Sequence, residues 1–251
     1  MKKILSIGFD LSIMIVCSVL LILFTNGMNR QVIDQSKKEP TNSVVETTPK
    51  KEELRNNPID FEMLQKTNPD LYAWIAIPNT NVDYPIAQSS KDEEEDFYLH
   101  KDVQKNYSYA GTIYTQKVNH KDFKDPVTLI YGHSMLNKTM FGSLHQFRKK
   151  DFFDANRYIY IYTKGHRLTY EVYAAYTYDD RLIPAYFDFS NEADLKAFFD
   201  EATSAESVGG LHRDIQVTTK DKVIVLSTCI GADSAYRFLV HGKLVKDQKT
   251  K

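Results

Sequence analysis

Cysteine is almost missing from this chain. Its 251 residues carry two, Cys17 and Cys229. That excludes a disulfide-dense scaffold and leaves no cysteine pair for a structural zinc site. An excess of one charge sign is missing too. Lys and Arg number 32 against 33 Asp and Glu, a formal net charge of −1, so the chain has no electrostatic footprint for nucleic acid. The 10 glycines are scattered, and none form a phosphate-cradling loop. There is no His-Glu-x-x-His pair and no spaced carboxylate loop. The acidic run Asp92-Glu93-Glu94-Glu95-Asp96 is contiguous, as in a solvated loop rather than a calcium cage. No metal, cofactor or internal repeat is implied.

One long apolar run is present. Met1-Lys2-Lys3 leads into Ile4 to Phe24, long enough at about 1.5 Å per residue to span a hydrocarbon core of roughly 30 Å. Asp10 lies near the lysine-flanked end, within reach of the interface. No small-x-small cleavage site follows; the chain continues Phe24-Thr25-Asn26-Gly27-Met28-Asn29-Arg30. Residues 1–30 therefore read as a cytoplasmic tip and an uncleaved, single-pass signal-anchor, with Lys2 and Lys3 on the cytoplasmic side. Residues 31–56 are rich in Lys, Glu, Thr, Ser and Pro and bury too little to offset ordering entropy, as in a flexible extracellular tether. Residues 57–251 are left for one extracellular domain of the cell membrane.

In that domain Asn57-Pro58 is expected to cap a helix ending at Asn68-Pro69, with Phe61, Leu64 and Met63 as its apolar stripe. The chain then reads as β-rich, with strands expected at 71–77, 82–86, 111–115, 127–131, 158–163, 168–178, 223–228 and 238–245. Pro85 marks an edge or bulge. Two helices interrupt: 138–147, with Met140, Phe141, Leu144 and Phe147 on one face, and 192–202, capped by Ser190 or Asn191, with Leu195, Phe198 and Phe199 inward. Many short strands with few helices point to a closed or nearly closed β-barrel of about eight strands.

Cys229 ends the run Lys222-Val223-Ile224-Val225-Leu226-Ser227-Thr228-Cys229, a buried strand that delivers a thiol to its end. With Cys17 in the apolar segment, Cys229 has no disulfide partner. An unpaired exported thiol is either an inert core residue or a nucleophile activated by a neighbouring group. His133 follows strand 127–131 and Gly132, where rigid scaffold meets loop. His100, His120, His145, His166, His212 and His241 lie in more polar or less strand-like settings, and the sequence alone does not pair any of the seven with Cys229. Arg237 opens the last strand. A hairpin through Gly231 to Tyr236 would return it beside the thiol, where a guanidinium can hold an oxyanion or a carbonyl; otherwise it is a strand-end arginine in solvent.

Together these residues resemble the signature of sortases, membrane-anchored cysteine transpeptidases of Gram-positive bacteria. Val225-Leu226-Ser227-Thr228-Cys229 is similar to their Thr/Val-Leu-x-Thr-Cys strand end. Arg237 matches their arginine eight residues on, and Tyr131-Gly132-His133 their Gly-His motif, in the same chain order. Asp70 to Gln88 resembles their first barrel strands. Class B fits best: it carries Ser before Thr-Cys, as at Ser227, a helix before the barrel, as at Pro58 to Thr67, and a helix in the insertion before the cysteine strand, as at Glu192 to Ala202. The stretch Ser134-Met135 to Met140-Phe141 is also of class B character. No Asp-Pro-Trp lid motif precedes the barrel.

The resemblance implies a sortase-like closed barrel with an N-terminal helix and an insertion helix. It also implies a mechanism. Cys229 attacks a threonine carbonyl in a C-terminal sorting motif, His133 protonates the departing amine, and Arg237 stabilises the oxyanion or positions the peptide. A thioester forms and an amine resolves it. The partners implied are surface proteins or pilins carrying the motif, and an acceptor such as the cross-bridge of a lipid-linked peptidoglycan precursor or a pilin lysine. Ser227, Thr228, Tyr131, Leu99, His100 and Ile183 would line the substrate groove, with Tyr178 to Ile183 as one wall. Two rivals remain. An exported cysteine peptidase would release the acyl group to water, but papain-like and cell-wall amidase folds place Cys before His, the reverse of the order here. A non-enzymatic surface β-barrel would hold Cys229 as an unreactive structural thiol.

Overall fold

In a computed structural model, residues 54–204, 209–231 and 235–251 are described. The signal-anchor and nearly all of the tether expected above lie outside them. Among the described residues, no helix is long and apolar enough to cross a membrane.

Among the described residues, the valine, isoleucine and tyrosine runs form nine strands: β1 (Leu71–Ala76), β2 (Asp83–Ala87), β3 (Ile113–Thr115), β4 (Val127–Tyr131), β5 (Tyr158–Thr163), β6 (His166–Asp179), β7 (Leu211–His212), β8 (Val223–Cys229) and β9 (Tyr236–Lys249). Their order is β5-β1-β2-β3-β4-β8-β9-β6-β7, and β5 also pairs with β6. That pairing closes an eight-stranded barrel and leaves β7 outside against β6, as the expectation of about eight strands required. Closure removes the unpaired edges that an open sheet would expose. Pro85 sits opposite Trp74 of β1, while pairing of β2 with β3 begins only at Ile86. Its missing donor therefore falls where the strand has one neighbour.

The central pair is parallel, β4 beside β8, from Val127↔Val223 to Tyr131↔Ser227. Both faces of this pair are covered. Ile130, Ile224 and Leu226 point into the barrel core with Ile75, Phe141 and Phe238. Val127, Leu129, Val223 and Val225 pack outside against Leu195, Phe198, Phe199 and Ala202. A strand buried on two faces reads as an unbroken apolar run, which is why Val223 to Leu226 shows no alternation.

The helices fall near their expected places with three corrections. The first helix, α1 (Phe61–Thr67), is capped by Asp60, whose carboxylate accepts from the Met63 amide, and not by Asn57. Asn57 instead donates its side-chain amide to the Thr163 carbonyl and Thr250 Oγ1. Met63 faces solvent; Phe61 alone in α1 is buried. The segment expected as a helix over 138–147 is a 3₁₀ run, η2 (Phe141–Arg148), which follows a shorter one, η1 (Phe97–His100). Phe141, Leu144 and Phe147, three apart and all buried, stack on one side of a helix with three residues per turn. A short α2 (Lys150–Ala155) follows. The insertion holds α3 (Ile183–Tyr186) and α4 (Glu192–Thr203), the latter capped by Asn191, which accepts from the amides of Ala193 and Asp194.

Candidate active site

β8 delivers Cys229 to the mouth of the barrel, half-exposed and with a free thiol. Two neighbours are fixed by strand register. On one side β9 runs antiparallel, and its register sets Cys229 opposite Arg237. On the other side the β4–β8 ladder continues past Tyr131: the Gly132 amide donates to the Ser227 carbonyl (3.2 Å), and Thr228 Oγ1 donates to the Gly132 carbonyl (2.7 Å). His133, the next residue, is thereby carried to the same cleft as Cys229. Close packing requires a glycine at 132. A Cβ there would lie 2.4 Å from Ile113 Cδ1 and 2.8 Å from Phe141 Cδ2.

The His133 ring is held on three sides. Because a carbonyl only accepts, its Nε2–H donates to Leu99 O at 2.9 Å. The ring stacks on Tyr109, centroids 5.6 Å apart, and lies 5.3 Å from the His100 ring. Burial holds its pKa below the usual imidazole value; the Leu99 bond opposes this and His100 adds to it. The Leu99 carbonyl is itself fixed by η1 (Phe97–His100). Tyr98, fully buried, donates to Asp70 (2.7 Å) and accepts from Asn68 (2.7 Å). Burial would raise the pKa of Asp70, but bonds from Lys105 and Tyr98 hold it below the usual value. Gly111, at φ 62°, lets the Leu99 carbonyl approach to where a Cβ would stand 2.3 Å away.

These elements border one cleft of about 240 Å³. Leu99, Tyr131, His133, Ile183, Ser227, Thr228, Cys229 and Arg237 all line it. His100 does not; it backs the His133 ring instead. Thr228 is nearly buried and its hydroxyl is committed to Gly132, so it latches the two strands as much as it forms a wall. Tyr131 stacks on Tyr114 and donates to Gln116. The opposite wall, Tyr178 to Ile183, is stiffened by the Arg181 guanidinium over the rings of Tyr178 and Tyr186 and by its bond to Asp179 (2.7 Å).

Sequence reasoning missed Tyr109, because a tyrosine in a polar loop carries no signal of stacking on a distant histidine. It also set His145 aside. His145 lies in η2 with Nε2 3.2 Å from the Cys229 carbonyl and 3.0 Å from Ser134 Oγ. Only the tertiary fold reveals that contact.

The sortase domain family model matches residues 75–245 of this chain. Sortase B of Staphylococcus aureus is 32% identical over 190 residues, which is 74% of this chain and 75% of that protein. Sortase B of Listeria monocytogenes is 31% identical over 227 residues, 89% of this chain and 87% of that protein. Among solved structures, Clostridium perfringens sortase B aligns with a TM-score of 0.67 at 30% identity, over 74% of this chain and all of that one.

Proposed function

This chain belongs to the sortase family, and from that premise we propose a specific division of labour in its cleft. It is a class B sortase, a cysteine transpeptidase of cell-wall sorting that acts on sorting-motif substrates and amine acceptors. In our reading Cys229 is the nucleophile, His133 the proton carrier and Arg237 the oxyanion donor. The observation that carries this reading is one rung of sheet: Cys229 opposite Arg237, with His133 entering the same cleft from the strand on the other side.

The Cys229 thiolate attacks the carbonyl of a threonine in the sorting motif and forms a C–S bond. Charge moves to the carbonyl oxygen, where the planar guanidinium of Arg237 stabilises it. The C–N bond then breaks, and protonated His133 gives a proton to the leaving amine. Because Nε2 is committed to Leu99, Nδ1 is the nitrogen that carries the transferred proton. A thioester remains. An incoming amine attacks it, loses a proton to Nδ1, and the C–S bond breaks to regenerate the thiolate. Burial disfavours the charged form of the His133 ring, and the bond to Leu99 works against that.

The substrate carries its motif near a C-terminal end, and the acceptor amine belongs to a peptidoglycan cross-bridge or to a pilin lysine. Residues 1–30 anchor the chain in the membrane with the catalytic domain outside, and residues 31–56 tether it. Both substrates are also surface-bound, so anchoring raises their effective concentration. The test is mass spectrometry of the enzyme with a panel of sorting peptides and candidate amines. An acyl adduct on Cys229 that an amine discharges as a new amide supports the reading; peptides left intact across the panel contradict it.

A further inference from the structure

His145 occupies a place that a backbone amide would otherwise fill. In the parallel β4–β8 ladder the Gly132 amide donates to the Ser227 carbonyl. Carbonyls of a strand repeat their direction every two residues, so the Cys229 carbonyl faces the same side, and the ladder would offer it the amide of Ser134. The chain does not continue in register. It turns at His133, and Ser134 bridges to Met140 instead. The Cys229 carbonyl is met by the imidazole of His145 at 3.2 Å.

The tautomer follows from hydrogen-bond accounting. His145 Nδ1 is buried with no partner. Were the proton on Nδ1, a buried donor would go unsatisfied and the Nε2 lone pair would confront the Cys229 carbonyl. With the proton on Nε2, the ring donates to that carbonyl and only an acceptor is left unpaired, which is the lesser cost. The ring is held in place by Phe238, 5.3 Å between centroids, and Phe238 is itself opposite Thr228 in the β8–β9 ladder.

The same peptide unit is gripped at its other end. The amide of Ile230 donates to the Tyr236 carbonyl at 3.2 Å. The C=O and N–H that follow the thiol are thus pinned between η2 and β9. Ser134 Oγ, 3.0 Å from the same His145 nitrogen, ties in the residue after His133. One imidazole touches both segments that bear reacting groups.

We propose that His145 is a positioning residue: its Nε2–H replaces the lost ladder bond, fixes the peptide unit that follows Cys229, and holds the Cys229 and His133 segments at one spacing. This rests on Cys229 and His133 being the reacting pair. Bending the chain after Gly132 sends His133 into the cleft, and His145 restores the order that the bend removes. A small misplacement of a reacting group costs roughly 10²-fold in rate, which sets the scale of the effect.

The experiment uses the full-length chain. His145→Phe keeps a ring against Phe238 but has no donor; His145→Gln can still donate from its terminal amide. Acylation by a sorting peptide is followed under single-turnover conditions, with KM measured separately and folding checked by thermal melt. The expected result is a ten- to hundred-fold slower acylation for His145→Phe, KM within about threefold, and recovery of most of the rate in His145→Gln. Equal rates in wild type and His145→Phe, or equal losses in the two variants, overturn the proposal. A readout free of folding and of activity is the ¹⁵N spectrum of His145 in the unmutated protein. It is expected to show the Nε2–H tautomer, and an Nδ1–H tautomer overturns the proposal. A Cys229→Ala enzyme that still turns over would instead sink the nucleophile assignment, while leaving the His145 tautomer as a separate result.

Discussion

Cys229 and Arg237 face each other across the end of the β8–β9 ladder. The hairpin therefore sets the spacing between thiol and guanidinium by backbone pairing, before any side-chain contact is made. Replacing Arg237 should leave the barrel folded while removing charge from the cleft. Arg237→Ala is expected to lower transpeptidation by roughly 10²–10³-fold, the usual cost of one oxyanion donor. Arg237→Lys should recover only part, because an ammonium lacks the planar fork. The measurement is kcat/KM with a thermal melt; a near-wild-type rate in Arg237→Ala would return Arg237 to a surface role.

His133→Ala is expected to cost ~10²–10⁴-fold, the range of general acid–base catalysis. In the wild-type enzyme the NMR titration midpoint of His133 should fall below the ordinary imidazole value, because burial disfavours its charged form. A midpoint above that value would mean that a negative partner, not burial, governs the ring.

Much of this arrangement was legible in the sequence. The β8 run announced its own strand, because strands display their composition locally, while the grouping of Cys229, His133 and Arg237 came from the resemblance to sortases and not from the residues alone. What stayed hidden depends on distant partners. Asn57 lost the cap to Asp60 because its side chain is used by Thr163 and Thr250, over a hundred residues away. The 138–147 segment reads as an α-helix because the 3₁₀ and α periods differ little over three buried residues. His145 fell within the helix expected over 138–147, away from any strand end, and only the bend after Gly132 makes it a neighbour of Cys229.

Gly132→Ala should both destabilise and slow the enzyme. The added methyl would press on Ile113 and Phe141 inside the barrel, and overpacking of a filled core typically costs ~1–3 kcal/mol. The strain falls between Tyr131 and His133, so turnover should drop more than stability alone accounts for. Urea unfolding together with kcat tests this; an unchanged midpoint would show that the barrel mouth is softer than its packing implies.

His241 makes acid sensitivity a feature of the fold. Its ring is fully buried, bonded to the hydroxyls of Tyr173 and Tyr176, and burial pushes its pKa down to about 3. The unfolded chain takes up a proton near pH 6.5 that the folded chain refuses, so stability is present above that pH and is lost as pH falls toward 3. Between pH 7 and pH 5 this one group should remove about 2 kcal/mol. Unfolding free energies at the two pH values should show that difference shrinking by a similar amount in His241→Phe. An identical pH dependence in both proteins would place the acid-sensitive group elsewhere.

The most direct test of the whole account is intact-mass analysis of wild type, Cys17→Ala and Cys229→Ala after mixing with a cleavable sorting peptide, before and after adding an amine. We expect a thioester-mass adduct on wild type and Cys17→Ala, discharged by the amine as a new amide, and no adduct on Cys229→Ala. An adduct or undiminished peptide cleavage in Cys229→Ala would contradict the account at its centre.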